Sequence, residues 1–346
     1  MQAAVFKGLG HKLAIEEMAR PVPGPGEVVI KVAACGVCGS DLHATDAGVF
    51  LQEDGTVLGH EFSGTVVASG DAAVPVGLRA TAVPVNACAD PVCRALGQCK
   101  NDLGILCPQN RITGLAKSVP GAYAQFIKVG ARQVVALPDG VSWEEGAMVE
   151  PLAVGLHAVT KSDMALGARV LVIGAGPIGL SVTAFAALRG AATVVVSERA
   201  PARRAAAAAF GATAAVDPTQ VADLGAEFAR IAGGPPDVIF DCVGAPGIIQ
   251  SCITLSRPRG TIVVVGVCMK EDALIPISAI LKELRVQFIL GYVEADFASV
   301  LEFLQAGRID AKAMVTDRVT LGDLPDAFEG LRQPGSQIKM MILPNG

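Results

Sequence analysis

A chain of 346 residues that is 51% hydrophobic has material for two sizeable cores. Its formal charge of −5 argues against a surface built to grip nucleic acid or acidic lipid, which leaves small molecules as the expected partners. Lys7, Gly8, His11 and Lys12 stand where a secretory leader needs an unbroken apolar stretch, so the expected location is the cytoplasm.

From the start to about residue 150, short strand-like runs (Glu27 to Ala33, Gly64 to Ser69, Ala124 to Val129) are punctuated by Gly and Pro, and few helical patterns appear. An all-β module of irregular or barrel-like type is predicted there. Within it, Cys35-Gly36-Val37-Cys38-Gly39-Ser40-Asp41-Leu42-His43 and Gly59-His60-Glu61 supply a thiolate, an imidazole and a carboxylate, the ligand set that zinc takes. Glu150, in Val149-Glu150-Pro151, offers a second carboxylate at the expected domain boundary. A zinc held by Cys38, His60 and one carboxylate keeps a fourth position open, which distinguishes a catalytic site from a structural one. Singly, each residue has an ordinary explanation: a small buried hydrophobe for Cys38, a core histidine for His60, a capping acid for Glu150. Together those explanations become improbable; Cys35 is assigned to packing.

Cysteine placement says more than cysteine number. Nine is odd, and a disulfide framework is out of place in domains that bury their own cores. Cys88, Cys93, Cys99 and Cys107 cluster while the others scatter, which points to a second metal.

From about Gly155 to Tyr292 strands alternate with helices: Val170 to Ile173, Thr193 to Ser197, Ala214 to Val216, Val238 to Asp241, Thr261 to Gly266 and Val286 to Leu290. That alternation describes a doubly wound parallel sheet. The first strand runs into Gly174-Ala175-Gly176-Pro177-Ile178-Gly179, and a helix is expected from Leu180 to Leu188. Gly174 makes the turn, Gly176 lets a pyrophosphate approach the backbone, and Gly179 lets helix and strand pack closely. Val170 to Leu188 is uncharged, but its glycines and Pro177 interrupt any membrane-spanning helix. Glu198 ends the second strand nineteen positions after Gly179, where an acid meets ribose hydroxyls. The helix from Pro201 to Phe210 should close at Gly211. Beyond Tyr292 a helix (Ala295 to Gln305), a strand (Met314 to Val319), a short helix (Leu324 to Leu331) and a last strand (Ile338 to Leu343) suit the first module, to which the chain is expected to return. The expected division is residues 1–153 with 293–346 for the zinc-binding domain, and 154–292 for the dinucleotide-binding domain.

Four motifs in order, Gly36-x-Cys38-Gly39-Ser40-Asp41-x-His43, Gly59-His60-Glu61-x-x-Gly64, Val149-Glu150-Pro151-Leu152-Ala153 and Gly174-x-Gly176-x-x-Gly179, resemble the zinc-dependent medium-chain alcohol dehydrogenases over essentially the whole length. The similarity is to the branch that includes threonine, polyol and butanediol dehydrogenases. It implies an α/β protein: a GroES-like irregular β-barrel catalytic domain joined to a Rossmann domain. Cys38 and His60 match the family's zinc ligands, Glu150 the carboxylate this branch uses, and Glu61 a neighbour that can enter the zinc shell or be displaced. Asp41 matches the acid that fixes the ligand histidine, while Ser40 and His43 match the proton relay. Cys88, Cys93, Cys99 and Cys107 match a structural zinc lobe, although the family spaces them Cys-x2-Cys-x2-Cys-x7-Cys and here only the last interval agrees.

The resemblance further implies reversible oxidation of an alcohol to a ketone or aldehyde by hydride transfer to a nicotinamide. Gly174, Gly176, Pro177, Ile178 and Gly179 would hold the pyrophosphate, and Arg203 would contact the adenosine ribose. Val243, Val265, Gly266 and Val267 would flank the nicotinamide half. The charge of Glu198 favours NAD and repels the 2′-phosphate of NADP; Arg199 beside it is the argument for NADP. A homotetramer is expected, with a dimer as the alternative. The rival readings are a zinc-free quinone or enone reductase, which has no use for Cys38, His60 and Glu150 together, and a non-catalytic nucleotide-binding protein.

Overall fold

The computed structural model describes residues 1–48, 50–86, 104–107, 110–333 and 335–346. Contacts divide the chain into one unit made of Met1–Glu150 with Val293–Gly346, and a second made of Pro151–Tyr292.

In the first unit, strands β1 (Gln2–Val5) and β2 (Ala14–Glu17) pair antiparallel. The spine is β3 (Glu27–Gly36), whose Val28, Val29, Ile30, Val32, Ala34 and Cys35 are buried. A run rich in β-branched residues packs well on a pleated surface, which is why this segment is a strand. Along it lie β4 (Glu61–Ser69) and, further on, β5 (Arg79–Ala82), the short pair β6 (Val85–Asn86) and β7 (Arg111–Ile112), then β8 (Phe126–Gly130) and β9 (Val134–Ala136). Both β4 and β8 are antiparallel to β3, and the β3–β4 register sets Gly36 opposite Glu61. Phe6, Ile30, Phe62, Tyr123 and Phe328 lie in the core behind this sheet. Each such side chain contributes about 1.5–3 kcal/mol through burial.

The second unit holds β10 (Arg169–Ile173), β11 (Thr193–Ser197), β12 (Ala214–Val216), β13 (Val238–Asp241), β14 (Thr261–Val264) and β15 (Arg285–Phe288), all parallel, in the order β12-β11-β10-β13-β14-β15. Strand order reverses between β10 and β13, and ligands of such sheets bind outside the carboxyl ends at that point. Several boundaries differ from expectation: β10 starts one residue early at Arg169, β15 runs Arg285–Phe288 rather than Val286 to Leu290, and two others have a clear cause. The helix after β10 begins at Pro177 rather than Leu180, because Gly176 is extended (φ −70, ψ −178) and a proline at the first helical position loses no hydrogen bond. Gly179 therefore lies in the first helical turn. β14 ends at Val264 rather than Gly266, because the Val265 and Gly266 amides both donate to the Asp241 carbonyl, at 2.9 and 2.8 Å, and leave the ladder. The Pro201–Ala206 helix continues as a 3₁₀ turn to Phe210 and closes at Gly211 (φ 87). Among the described residues no helix is long and apolar enough to cross a membrane.

After Tyr292 the chain rejoins the first unit through the Glu294–Gln305 helix, β16 (Val315–Thr320), the Leu324–Gly330 helix and β17 (Lys339–Leu343). β17 lies antiparallel to β3, with Met341 opposite Gly36 and Ile342 opposite Cys35, and the first sheet reads β16-β17-β3-β4-β5-β9. Gly36 thus stands between Glu61 on one side and Met341 on the other, at the point where β3 delivers the cysteine motif.

Candidate active site

Cys38 caps the short helix Gly39–Ala44, and its amide donates to Asp41 Oδ2 at 3.0 Å. Glu61 opens β4, and His60 immediately precedes it. The Sγ of Cys38, an imidazole nitrogen of His60 and a carboxylate oxygen of Glu61 all lie within 4.8 Å of one another. Behind them Asp41, fully buried, also accepts the Tyr123 hydroxyl at 2.6 Å and sits 3.4 Å from His60 Nδ1. Ser40 Oγ is 3.4 Å from His60 Nε2, and His43 is half-buried in the last turn of the same helix.

Charges in this pocket are strongly coupled. Burial alone would raise the Asp41 carboxyl, but His60, the Tyr123 hydroxyl and the Cys38 amide outweigh it and hold the group below its ordinary value. Burial would lower His60, yet Asp41 and Cys38 drive it well above the ordinary histidine value. Tyr123 is pushed well up by burial and by the neighbouring Asp41. A metal ligand histidine must be neutral and a ligand cysteine ionised, so loading this site displaces protons.

The residues fit a zinc ion. Thiolate, imidazole and carboxylate are its ordinary donors, and a ligand histidine needs a carboxylate on its other nitrogen. His60 Nδ1 and Asp41 Oδ1 are buried without a hydrogen-bond partner. They face each other at 3.4 Å, and a hydrogen bond between them would leave Nε2 for the metal. Glu150, 8% exposed at the start of the Val149–Lys161 helix, is not one of the three clustered donors. Its charge nonetheless reaches Lys339, a buried cation on which sequence reasoning was silent. Lys339 Nζ donates to both oxygens of Glu61, at 2.8 and 2.6 Å, and to the Val37 carbonyl at 2.9 Å. Burial would lower Lys339, but Glu61, Cys38 and Glu150 outweigh it and keep the ammonium charged. Leaving either member of such a pair alone costs about 3–5 kcal/mol. Cys35 is fully buried, in keeping with a packing role. Of the second cysteine group, Cys107 is buried, and Cys88, Cys93 and Cys99 lie outside the described residues.

In the second unit, the glycine turn has the form a dinucleotide needs. Gly174 has φ 98, and a Cβ on Gly179 would lie 1.9 Å from the Gly174 carbonyl oxygen, so neither position tolerates a side chain. A Cβ on Gly176 would meet nothing within 4 Å, which leaves that amide face open at the helix start. Pro177 and Ile178 form the first turn with it, both half-buried. The Glu198 carboxylate bridges two loops, accepting the Ala175 amide at 2.7 Å and the Ala200 amide at 2.8 Å. Arg203 is half-buried on the following helix. Its neighbour Arg204, which sequence reasoning passed over, donates to the Glu198 and Arg199 carbonyls at 2.8 Å and pairs with Asp217 at 3.1 Å.

At the carboxyl ends of β13 and β14, Val243 and Val267 are 47% and 46% exposed. A Cβ on Gly266 would lie 2.2 Å from the Gly244 amide nitrogen, so the two loops, Val265 included, run in close contact. Asp241 organises them. Its Oδ1 accepts the Val243 and Gly244 amides at 2.9 and 3.2 Å, while burial, ahead of Asp272, raises its carboxyl.

Two family profiles match the chain, "Alcohol dehydrogenase GroES-like domain" over residues 24–139 and "Zinc-binding dehydrogenase" over residues 177–306. The chain is 34% identical to a (R,R)-butanediol dehydrogenase of Bacillus subtilis (strain 168), covering 96% of this chain and 97% of that protein. It is 32% identical to a sorbitol dehydrogenase of the same organism, covering 100% and 98%. The crystal structure of the Bacillus subtilis 2R,3R-butanediol dehydrogenase superposes with a TM-score of 0.88 at 33% identity, over 99% of each chain. Similar solved structures include a dehydrogenase of Escherichia coli CFT073 complexed with NADH (26% identity, TM-score 0.88) and a zinc-binding dehydrogenase of Sinorhizobium meliloti 1021 bound to NADP (29%, 0.89), each over 99% of both chains. These likenesses cover both units and agree with the donor cluster and the glycine turn, and with them go zinc and a nicotinamide cofactor. The chain belongs to the zinc-dependent medium-chain alcohol dehydrogenases.

Proposed function

We propose that this enzyme reversibly oxidises a secondary alcohol or vicinal diol to the ketone, with NAD as the hydride acceptor. The clustering of Cys38, His60 and Glu61 in front of a fully buried Asp41 carries the reading. The butanediol and sorbitol dehydrogenases to which the chain is similar support the substrate class. When bound, zinc supplies Lewis acidity that makes a substrate hydroxyl easier to ionise, and the nicotinamide accepts the hydride.

Everything else is the work of the chain. Cys38 and His60 would hold the metal, with Glu150 as the third donor and Glu61 in reserve. Asp41 keeps the His60 ring in one tautomer and is itself held by Tyr123 and the Cys38 amide. Ser40 and His43 carry the hydroxyl proton outward. Glu198, with Oε2 turned to the glycine loop and Oε1 to the Ala200 amide, supports NAD over NADP; Arg199 beside it remains the argument for NADP, while Arg204 is engaged by Asp217 and two carbonyls.

Cys88, Cys93, Cys99 and Cys107 are assigned a second, structural zinc, which needs four thiolates at tetrahedral corners and not a fixed interval in sequence. The thiols Cys35, Cys242, Cys252 and Cys268, given no metal role, suit a reducing compartment such as the cytoplasm. A homo-oligomer, tetramer or dimer, is supported by the edge strand β15 and its surroundings, where Ile277, Ile280, Leu281, Phe288 and Leu290 are more than half exposed. The test of the reaction is a panel of secondary alcohols, vicinal diols and polyols assayed for NADH or NADPH formation with each cofactor. Cofactor binding without reduction by any of them would reject the proposal.

A further inference from the structure

The helix Gly39–Ala44 carries Ser40, Asp41 and His43 in fewer than two turns, and only Asp41 and Ala44 of it are buried. So short a helix has no stability of its own and has to be fixed from outside. Its first turn is fixed through Asp41 Oδ2, which accepts the Cys38 amide and the Tyr123 hydroxyl at 3.0 and 2.6 Å. Its last turn is fixed by Arg332, which follows the Leu324–Gly330 helix. Arg332 Nη2 donates to Thr45 Oγ1 at 2.7 Å and Nη1 to Asp46 Oδ1 at 2.6 Å, while Nε is held by Glu329 at 2.8 Å. Thr45 passes the contact on, since its own hydroxyl donates to the Leu42 carbonyl at 2.9 Å and closes the turn around His43. The bond to Thr45 outweighs the one to Asp46. Thr45 is 6% exposed, whereas the Asp46 side chain is 56% exposed and its ion pair is screened by water. The guanidinium also lies 5.7 Å from the centre of the buried Phe328 ring, which meets Tyr123 edge-on at 6.4 Å. One stretch, Phe328 to Arg332, therefore braces both the residue that holds Asp41 and the turn that follows His43.

We propose that Arg332 is a positioning residue for proton release: through Thr45 it fixes where the His43 imidazole stands at the outer end of the relay. The proposal rests on the relay reading above, in which Ser40 and His43 carry the hydroxyl proton outward. Without the guanidinium, the turn after His43 is left to the Thr45 hydroxyl and to two backbone bonds, Thr45 to Leu42 at 3.1 Å and Asp46 to His43 at 3.3 Å. The imidazole then spends time out of line with the group that hands it the proton. Cys38 and Asp41, held from the other end of the helix, keep their places. Loss of Arg332 thus separates two properties that general loosening of the domain would change together, proton transfer and metal retention.

The test uses the full-length zinc-loaded enzyme with NAD and the panel alcohol that is oxidised fastest, 2,3-butanediol being the first tried. A stopped-flow instrument reads the single-turnover rate of proton release with phenol red, and metal analysis reads zinc content, for the parent, Arg332→Met, His43→Ala and the double variant Arg332→Met/His43→Ala. Arg332→Met should slow proton release about tenfold, a misplacement of about 1 Å being worth up to about a hundredfold, and should retain the zinc of the parent. Because Arg332 acts through His43, the double variant should match His43→Ala alone to within about twofold. Thr45→Val removes the same hydrogen bond from its other side; it should reproduce the slowing, and it carries the test should Arg332→Met not fold. Arg332→Lys, which can reach one of the two acceptors, should recover part of the rate. An unchanged rate in Arg332→Met and Thr45→Val, losses that multiply in the double variant, or zinc lost together with rate would overturn the proposal. No slowing in His43→Ala is a different result: it would remove His43 from the relay, and the proposal with it.

Discussion

Replacing Glu198 by glutamine tests the cofactor assignment at a single position. A carboxylate has about four lone-pair sites. One on each oxygen is taken by a backbone amide, Ala175 on Oε2 and Ala200 on Oε1, which leaves one on each for the two ribose hydroxyls of NAD. The glutamine amide keeps the shape but presents one end as a donor. One backbone amide then faces a like group, one hydroxyl loses its acceptor, and the charge that strengthens the remaining bonds is gone. A hydrogen bond to a charged group is worth about 1.5–3 kcal/mol, so a loss near 2 kcal/mol weakens NADH binding about thirtyfold. NADPH, relieved of a carboxylate beside its 2′-phosphate, should gain about threefold at moderate salt. The ratio of the two dissociation constants, from calorimetric titration, should move by about a hundredfold. If both cofactors weaken together, or the ratio moves less than about fivefold, Glu198 is a structural cap of the turn and not the selector.

Cys38→Ser should abolish alcohol oxidation and reduce zinc by about one ion per chain in metal analysis; retention of both would remove Cys38 from the site. Tyr123→Phe leaves Asp41 one donor short in a pocket with no solvent, and should lower unfolding stability in urea by about 1–3 kcal/mol. An unchanged midpoint would mean that Asp41 does not need the hydroxyl. At the foot of the second sheet, Arg169 and Arg257 flank Asp237 and, against the opposing effect of burial, lower its carboxyl from 3.8 to about 2. A folded-state value below the unfolded one adds stability above pH 3.8 that is lost as pH falls toward 2. The shift corresponds to at most about 2.5 kcal/mol, which solvent screening reduces to about 1. Asp237→Asn should lose that increment at neutral pH and show a correspondingly flatter acid limb; an identical acid limb would show that the pair is energetically silent.

The parallel sheet was legible because five of its six strands are short apolar runs cut by glycine or a capping residue, a local signal; the edge strand β15, Arg285-Val286-Gln287-Phe288, is the exception. The Cys38 and His60 motifs were legible for the same reason, since chemistry and turn geometry share a few consecutive positions. Helix onset at Pro177 was misplaced because glycine spacing marks the phosphate loop and says nothing of where helical hydrogen bonding starts. Tyr123 and Lys339 escaped altogether. Their partners lie 82 and 278 residues away in sequence, and a lysine beside a run of Met, Met and Ile reads as an alternating strand residue at the surface. Its burial and its contacts with Glu61 and the Val37 carbonyl show that its side chain is inside.

The late arrival of β17 beside β3 bears on how the chain matures at the ribosome. Domains generally fold in the order of their emergence, but here the contiguous block Pro151–Tyr292 is complete while the earlier sheet still lacks a central strand. Until Lys339–Leu343 is translated, the apolar flank of β3 near Cys35 and Gly36 is an uncovered edge, the kind of surface that recruits chaperones or neighbouring nascent chains. Glu61 also waits, without its counter-charge, for a lysine 278 positions further along the chain. A prematurely terminated polypeptide would thus carry a finished nucleotide fold beside an unsealed, charge-unbalanced metal pocket, which links quality control of synthesis directly to catalytic competence.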